Sequence, residues 1–321
     1  MTAEQITFLA FGGLLILALA FDLGLLSKKS THISIKKAIW QTAFWVSLAM
    51  LFFGFLWYQN GHKIALNYLS AYLMEWSLSI DNIFVFILIF GFFKVKEKFY
   101  ARVLLIGILM AIIFRMGFIS IGIGLVARFH WILYIFGGIL IYTGISMFRA
   151  KHDDEADLEN NRVYKLLQRA LPITSDDGGG KWKINVNGKK YYTSLFVVVI
   201  MLATTDIVFA LDSIPAVFAI SPEPLVVYTS NVFAVLGLRS LFFLLKGAAN
   251  KFGNLQQGIA IVLIFIGLKM LVEYFNIEIP VYISLLVIVI CILASIVYSV
   301  TVGNRTIENK ETDAGMDREI H

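Results

Sequence analysis

The sequence has few charged side chains, and this scarcity excludes whole classes of protein. Only 15% of its 321 residues are Asp, Glu, Lys or Arg, whereas 59% are hydrophobic. Soluble domains carry about 25% charged residues, and so few charges could not cover the surface of a soluble chain of this length. A soluble two-domain enzyme and a disordered chain are therefore excluded. The composition instead predicts an all-α, polytopic helical membrane protein.

Cysteine is scarce too, and motifs for nucleotide binding are missing. The single cysteine, Cys291, excludes an intramolecular disulfide. The sequence contains no Walker motif, so any transport would draw on an ion gradient rather than on ATP bound by this chain. The net charge of +5 does not require a nucleic-acid partner, because basic cytoplasmic loops explain it. We expect neither enzymatic activity nor a resident cofactor.

Nine apolar runs are long enough to cross about 30 Å of hydrocarbon. They lie at residues 6–26, 38–58, 66–93, 102–125, 129–149, 193–220, 225–245, 257–275 and 280–302. The chain then divides into 1–65 with the first two helices, 66–149, a cytoplasmic loop at 150–192, 193–275, a last helix within 276–302 and a disordered cytoplasmic tail at 303–321.

The placement of basic residues predicts the orientation of these helices. Of the 27 Lys and Arg residues, 22 lie in segments that are on one side if the helices alternate, and only Lys63 and Arg128 lie on the other side. The positive-inside rule assigns the basic side to the cytoplasm. We therefore expect the amino terminus outside and the carboxyl terminus in the cytoplasm.

The predicted cytoplasmic loop contains two kinds of segment. An acidic run, HDDEADLE at 152–159, precedes a predicted short amphipathic helix, and it is interpreted as a solvated loop or as a regulatory metal site. The second segment, KWKINVNGKKYY at 181–192, alternates in polarity and contains Asn187-Gly188. This dipeptide is typical of a β-hairpin turn.

Two apolar segments carry the same acidic motif. EWSLSIDNIFVF at 75–86 aligns with DIVFALDSIPAVF at 206–218, so that Glu75 corresponds to Asp206, Asp81 to Asp212 and Asn82 to Ser213. Each following helix contains an arginine, and TGISM at 143–147 then matches IGLKM at 266–270. The unit is three helices, spans 3–5 repeated as spans 6–8. A repeated unit of odd helix number reverses its direction, which predicts an inverted-topology repeat with a site at the repeat interface.

The four acids of the two motifs are expected to be functional. An ionised carboxylate inside a span costs at least about 3 kcal/mol. Pairing with Arg115 and Arg239 would compensate two of the four acids, which leaves a formal charge of −2 for protons or a divalent cation to balance. Two further residues are ambiguous. Asp22 is either an interfacial residue or a cytoplasmic gate, and Asn231 either lines the cavity or caps a broken helix.

The helical geometry limits how these acids converge. Six residues turn an ideal helix by about 600°, so Glu75 and Asp81 point about 120° apart. They meet at one ion only if the helix is broken between them or if other helices close the gap. Pro215 supplies a candidate break because it frees the carbonyl of Leu211.

The available donors are all oxygens, which favours a hard cation. Glu75, Asp81, Asp206 and Asp212 offer carboxylates, Asn82 an amide and Ser213 a hydroxyl. Such sites suit Mg²⁺, Ca²⁺ and Mn²⁺ rather than Zn²⁺ or Cu²⁺, and the residue types do not choose between Mn²⁺ and Ca²⁺. The expected partners are thus a divalent cation and the lipid bilayer.

Over residues 6–302 the chain resembles the TerC/Alx family of bacterial integral membrane proteins, and it is most similar to the Alx branch. The resemblance is carried by the two acidic motifs together with SNVFAVLGLRS at 230–240 and WILYIFGGILIYTG at 131–144. It implies a protein of the bacterial inner membrane that exports Mn²⁺ from the cytoplasm, linked to alkaline pH and tellurite resistance. The family's acidic motif positions correspond to Glu75, Asp81, Asp206 and Asp212.

Two other functions are open from the sequence. The protein is alternatively a metal-binding membrane scaffold or sensor that recruits partners through the 150–192 loop. An intramembrane enzyme with a metal-activated water is the weakest hypothesis, because symmetry-related acids suit alternating access better than one-sided chemistry.

Overall fold

The computed structural model describes most of the chain, and it is helical almost throughout. The described residues are 3–27, 34–129, 131–149, 162–174, 176–186, 188–246, 255–273, 275, 277, 279–280, 282–295 and 297–298. The last predicted helix is described only in part, and the predicted tail at 303–321 and the acidic run at 152–159 lie outside these residues.

The helices follow the predicted apolar runs closely. The long helices are α1 (Ala3–Ser27), α2 (Ile35–Asn60), α3 (His62–Phe92), α4 (Glu97–Arg128), α5 (Ile132–Arg149), α7 (Ser194–Ile220), α8 (Pro224–Lys246) and α9 (Leu255–Glu273). A shorter helix, α10, covers Tyr282–Ser295. Between α5 and α7 lie α6 (Arg162–Ala170), a 3₁₀ turn (Gly178–Gly180) and the strands β1 (Lys183–Val186) and β2 (Lys189–Tyr192).

Four of these helices, α2, α4, α7 and α8, are by themselves long and apolar enough to cross a membrane. Shorter apolar stretches lie in α1, α5, α9 and α10. Helix α3 has 31 residues, about 46 Å at 1.5 Å per residue, and it carries the first acidic motif. The architecture is that of a polytopic helical membrane protein.

Local sequence signals explain where several helices begin. The Ser34 side chain accepts a hydrogen bond from the Lys37 backbone N–H at the start of α2, which is a helix N-cap. Gly61 separates α2 from α3 with φ +89°, a conformation that L side chains rarely adopt. Pro224 begins α8, where its missing N–H has no cost.

Pro215 does not interrupt its helix. Helix α7 continues from Ser194 to Ile220 through this proline, and α3 also runs unbroken through its acidic motif. The sequence left two arrangements of the acids open: a helix broken between them, or other helices that close the gap. Because α3 and α7 are both continuous, the fold allows only the second arrangement.

Two residue contacts at different positions along a pair of helices show whether the two helices are parallel or antiparallel. Thr7 on α1 donates to Asn60 on α2 (2.8 Å), and Phe11 contacts Phe52; the sequence numbers run in opposite directions, so α1 and α2 are antiparallel. Gly107 and Gly122 on α4 contact Leu202 and Phe218 on α7, so those two helices are parallel.

The same comparison applies to α3 and α8. Tyr68 contacts Phe233, and Phe90, further along α3, contacts Phe242, further along α8. These helices are therefore parallel, as α4 and α7 are. Each of these pairs joins a helix from residues 62–128 to a helix from residues 194–246.

Helices α5 and α9 approach each other most closely at glycines. A Cβ on Gly144 would lie 2.7 Å from the Ala260 carbonyl oxygen and 2.7 Å from Ile264. A Cβ on Gly267 would lie 2.7 Å from the Gly137 carbonyl oxygen and 2.8 Å from Ile141. Small residues allow such backbone contact between membrane helices. Gly137 lies against Gly267, and the later residue Gly144 lies against the earlier residue Ala260, so α5 and α9 are antiparallel.

The strands form the hairpin that the sequence predicts. Strand β1 pairs antiparallel with β2, with Lys183 opposite Tyr192 and Val186 opposite Lys189. Gly188 in the turn has φ +81°; Asn187 lies outside the described residues. The hairpin leads directly into α7, because Thr193 immediately precedes that helix and its hydroxyl donates to the Lys181 carbonyl (2.7 Å).

The hairpin segment, residues 162–193, also contacts the α3–α4 connection and the start of α4. Arg102 donates to the Gly180 carbonyl (3.0 Å) and lies over the Trp182 ring at 4.7 Å. Lys96 binds Asp177 at 2.6 Å. The hydrogen bond between them lowers the pKa of Asp177 and raises that of Lys96, so both groups are charged at neutral pH and the pair persists there.

The glycine contact between α5 and α9 makes a testable prediction. Gly144→Ala places a methyl group against the α9 backbone, and we expect a loss of about 1–3 kcal/mol in stability from overpacking. Gly138→Ala on the same helix is the matched control, because a Cβ there has no atom within 4 Å. Thermal unfolding of the two purified variants in one detergent measures the difference. Equal melting temperatures would contradict the close α5–α9 contact.

Candidate cation-binding site

Four helices bring charged and polar side chains together inside the fold. Glu75 on α3, Asp206 on α7, Arg115 on α4 and Asn231 on α8 are each at most 2% exposed. Their helices are held in contact by the parallel pairs described above. The two acids are the first acids of the two aligned motifs, so the fold joins the motifs at their corresponding positions.

Arg115 bridges the two acids. Its Nε and Nη2 donate to Asp206 Oδ2 and Oδ1 at 2.8 and 3.0 Å, which is a bidentate ion pair. Its Nη1 donates to Glu75 Oε2 at 2.7 Å. One arginine on α4 thus binds the first carboxylate of each motif.

Asn231 holds Arg115 in this position. Its Oδ1 accepts from Arg115 Nη1 at 3.0 Å, and its own amide donates to the Val227 carbonyl one turn earlier on α8 at 3.2 Å. Of the two roles open for Asn231, lining the site fits this geometry. A helix cap does not, because α8 is continuous from Pro224 to Lys246.

Several buried oxygen atoms on α3 and α7 have no hydrogen-bond partner among the described residues. They are Glu75 Oε1 and the hydroxyl oxygens of Ser77, Ser79 and Ser213. Glu75 is 0% exposed, and a buried polar atom without a partner costs free energy. Groups of this kind in a native structure point to a ligand, ion or water that satisfies them.

The structure describes the side chains of only some of the remaining predicted site residues. Asn82 is 3% exposed on α3, and Arg239 is 4% exposed on α8. The side chains of Asp22, Asp81 and Asp212 lie outside the described residues, although each position belongs to a described helix. Asp81 follows Glu75 on α3, and Asp212 follows Asp206 on α7.

The described residues hold a partial oxygen site. Among them, no group of three or more His, Cys, Asp or Glu side chains lies close enough together to hold a metal ion. Glu75, Asp206 and Arg115 together carry a formal charge of −1, which favours a cation. Carboxylate, hydroxyl and amide oxygens are the donors that hard divalent cations prefer.

Packed aromatic side chains lie on both sides of the acids along α3. Tyr68 contacts Phe52 (5.5 Å) and Phe233 (6.2 Å), and further along the helix Phe90 contacts Tyr100 (4.5 Å) and Phe242 (5.3 Å). Along α3, Glu75 therefore lies between two buried aromatic layers, one at Tyr68 and one at Phe90.

The aromatic layers along α3 were not predicted from the sequence. The spacing of Tyr68, Tyr72, Glu75, Ser79 and Asn82 follows one helical stripe, and all five side chains are buried. This spacing could have predicted the layer at Tyr68, because it places the two tyrosines on the same helix face as the first acid.

Comparison with known proteins identifies the family. Residues 60–306 match the family model of the TerC integral membrane proteins, which covers both acidic motifs and begins just before α3. An uncharacterized membrane protein of Myxococcus xanthus is 40% identical over 96% of this chain and 94% of its own length. An uncharacterized membrane protein of Rickettsia felis is 41% identical over 88% of this chain and 93% of its own length.

A relative with a functional description also matches. The Escherichia coli protein Alx, which is named as a membrane-bound redox modulator, is 39% identical over 86% of this chain and 88% of its own length. No solved structure matches the chain. On the family match and on these identities, the protein belongs to the TerC family of integral membrane proteins.

Proposed function

We propose that the protein is a secondary transporter that exports divalent cations, foremost Mn²⁺, from the cytoplasm. One observation carries this proposal: a fully buried carboxylate, Glu75, has one oxygen without a partner among the described residues. Three buried serine hydroxyls on α3 and α7, the helices of the two motifs, are in the same state. Within a membrane protein, such a group marks an ion pathway. The cation is the cargo, and the unpartnered oxygens would bind it.

Symmetry in the helix contacts supports an inverted repeat. Gly144 contacts positions 260 and 264 of α9, and Gly267 contacts positions 137 and 141 of α5. A shift of 123 residues, from Gly144 to Gly267, converts each contact into the other. Likewise, exchanging the two three-helix units turns the α3–α8 pair into the α7–α4 pair, and both pairs are present.

The direction of this symmetry supports alternating access. A two-fold axis that exchanges two antiparallel helices is perpendicular to them, so for membrane-spanning helices it lies in the membrane plane. Transporters with this symmetry bind their substrate near the midplane at the repeat interface. Glu75 and Asp206 come from the two proposed units and both bind Arg115, which supports a substrate site at such an interface.

The nine-span topology and its orientation belong to the same proposal. The antiparallel and parallel helix pairs are those that nine alternating spans require. The basic residues then place the amino terminus outside and the carboxyl terminus in the cytoplasm, in a bacterial inner membrane. We propose that a proton or another ion gradient supplies the energy, because carboxylates can exchange a proton for a metal ion.

The choice of Mn²⁺ rests on donor chemistry together with the family resemblance. The oxygen donors exclude a preference for soft metals, and the resemblance to the TerC/Alx family favours Mn²⁺ over Ca²⁺. Links to alkaline pH and tellurite resistance are proposed on the same resemblance. The redox role named for Alx has no thiol pair to act through here, since Cys291 is the chain's single cysteine.

One structural feature favours a second function. The hairpin segment packs against the α3–α4 connection through Lys96–Asp177 and against the start of α4 through Arg102–Gly180, so it presents a defined surface. A scaffold or sensor that recruits partners would use such a surface.

The second acids of the two motifs give the direct test of transport. Asp81→Asn and Asp212→Asn each remove a negative charge from the proposed site, and we expect each to abolish Mn²⁺ efflux. Mn²⁺ uptake by inverted membrane vesicles, at matched protein levels and over a range of pH gradients, measures this. Glu223→Gln, an exposed acid between α7 and α8, is the matched control. Normal transport by both Asp variants would overturn the proposal.

The serine hydroxyls separate a binding role from a structural one. Ser79→Ala and Ser213→Ala each remove a buried hydroxyl without a described partner, so we expect stability to stay level or rise by up to about 1 kcal/mol. We expect Mn²⁺ affinity, measured by calorimetry on purified protein, to fall. Ser70→Ala is the control on the same helix, because the Ser70 hydroxyl already donates to the Leu66 carbonyl. If Mn²⁺ affinity is unchanged in both Ser79→Ala and Ser213→Ala, these two serines do not bind the cation.

Shortening the hairpin segment distinguishes transporter from scaffold. Replacing residues 162–192 by a flexible Gly/Ser linker keeps the spans connected. A transporter retains measurable Mn²⁺ efflux in vesicles, whereas a scaffold loses its function entirely. Absence of Mn²⁺ efflux from vesicles that contain the unsubstituted protein as well as from those with the variant, at normal membrane insertion, would favour the scaffold.

A further inference from the structure

We infer that Arg115 is a built-in substitute for the transported cation, which occupies the carboxylates of the empty site and leaves them when a cation binds. This inference rests on the proposed function and assigns to Arg115 the return of the unloaded transporter. It is carried by the contacts of one side chain with both repeats.

The guanidinium uses oxygens that a cation would need. Both oxygens of Asp206 and one oxygen of Glu75 accept hydrogen bonds from Arg115. The second oxygen of Glu75 has no partner among the described residues. A divalent ion that takes six or more oxygen ligands can therefore begin at Glu75 Oε1, but it gains the Asp206 oxygens and Glu75 Oε2 as ligands only by taking them from Arg115.

Electrostatics make the two occupants mutually exclusive. Arg115 is 2% exposed, so a divalent ion on the same carboxylates would lie a few ångströms from an unscreened like charge. Repulsion between buried like charges is much stronger than in water. Binding of the cation thus displaces the guanidinium, and release of the cation lets it return.

Asn231 gives the displaced guanidinium a neutral partner. Its carbonyl oxygen already accepts from Arg115 Nη1, and its amide is anchored to the α8 backbone. Arg115 can therefore keep this hydrogen bond while it gives up both acids.

The consequence concerns the empty transporter. Without Arg115, Glu75 and Asp206 would leave two buried negative charges uncompensated, and a low-dielectric interior penalises each of them. Moving such a site between the two sides of the membrane would be slow. With Arg115 in place the carboxylates remain paired, so the unloaded protein can return and start another cycle.

Two transport modes separate this role from simple structural pairing. Net efflux requires the empty protein to return, whereas exchange of cation for cation uses only the loaded protein. Arg115→Gln, reconstituted in vesicles loaded with Mn²⁺, is expected to lower net efflux at least about tenfold, equivalent to about 1.4 kcal/mol. Isotope exchange with Mn²⁺ on both sides is expected to stay within about twofold of the unsubstituted protein, a difference below 1.4 kcal/mol. Arg128→Gln, an exposed arginine on the same helix, is the matched control.

A second variant protects the test against loss of folding. Arg115→Lys keeps the positive charge but not the bidentate geometry, and we expect net efflux between those of Arg115→Gln and the unsubstituted protein. Retained exchange in the same vesicles demonstrates that a variant is folded. Equal losses of efflux and exchange in both variants, or unchanged net efflux in Arg115→Gln, would overturn the inference. Absence of both modes in the unsubstituted protein would instead contradict the proposed transport function.

Discussion

The ion pairs of Arg115 with Glu75 and Asp206 are the interaction on which the arrangement of the membrane helices depends. Each partner is buried almost completely, and an unpaired charge in that environment would cost several kcal/mol. The three side chains come from α3, α4 and α7, so those helices must keep the register that joins them. Asn231 extends the same constraint to α8.

Close packing surrounds this centre. Aromatic layers at Tyr68 and at Phe90 lie before and after Glu75 along α3, and the α5–α9 contact places glycine backbone against the side chains of Ile141 and Ile264. Small residues allow the two helix backbones to come this close. The hairpin segment leads into α7 and contacts both the α3–α4 connection and the start of α4.

Much of the fold could be predicted from the sequence, because the bilayer imposes simple requirements. A span must be apolar and about 20 residues long, and the described helices accordingly match the predicted runs to within a few residues. The hairpin was predictable because Asn-Gly favours one turn geometry. The site was predictable in part, since an acid inside an apolar run is conspicuous and its repetition at a constant shift is more so.

The amino-acid sequence alone predicts a helical membrane protein with two related acidic motifs, because apolar run length and charge inside an apolar run are local properties. The tertiary structure was needed to show that one arginine, Arg115, binds the first acid of both motifs, that α3 and α7 are continuous, and that buried aromatic layers precede and follow Glu75 along α3. These facts depend on which helix faces meet, and that choice is made by packing between residues far apart in the chain rather than by any local pattern.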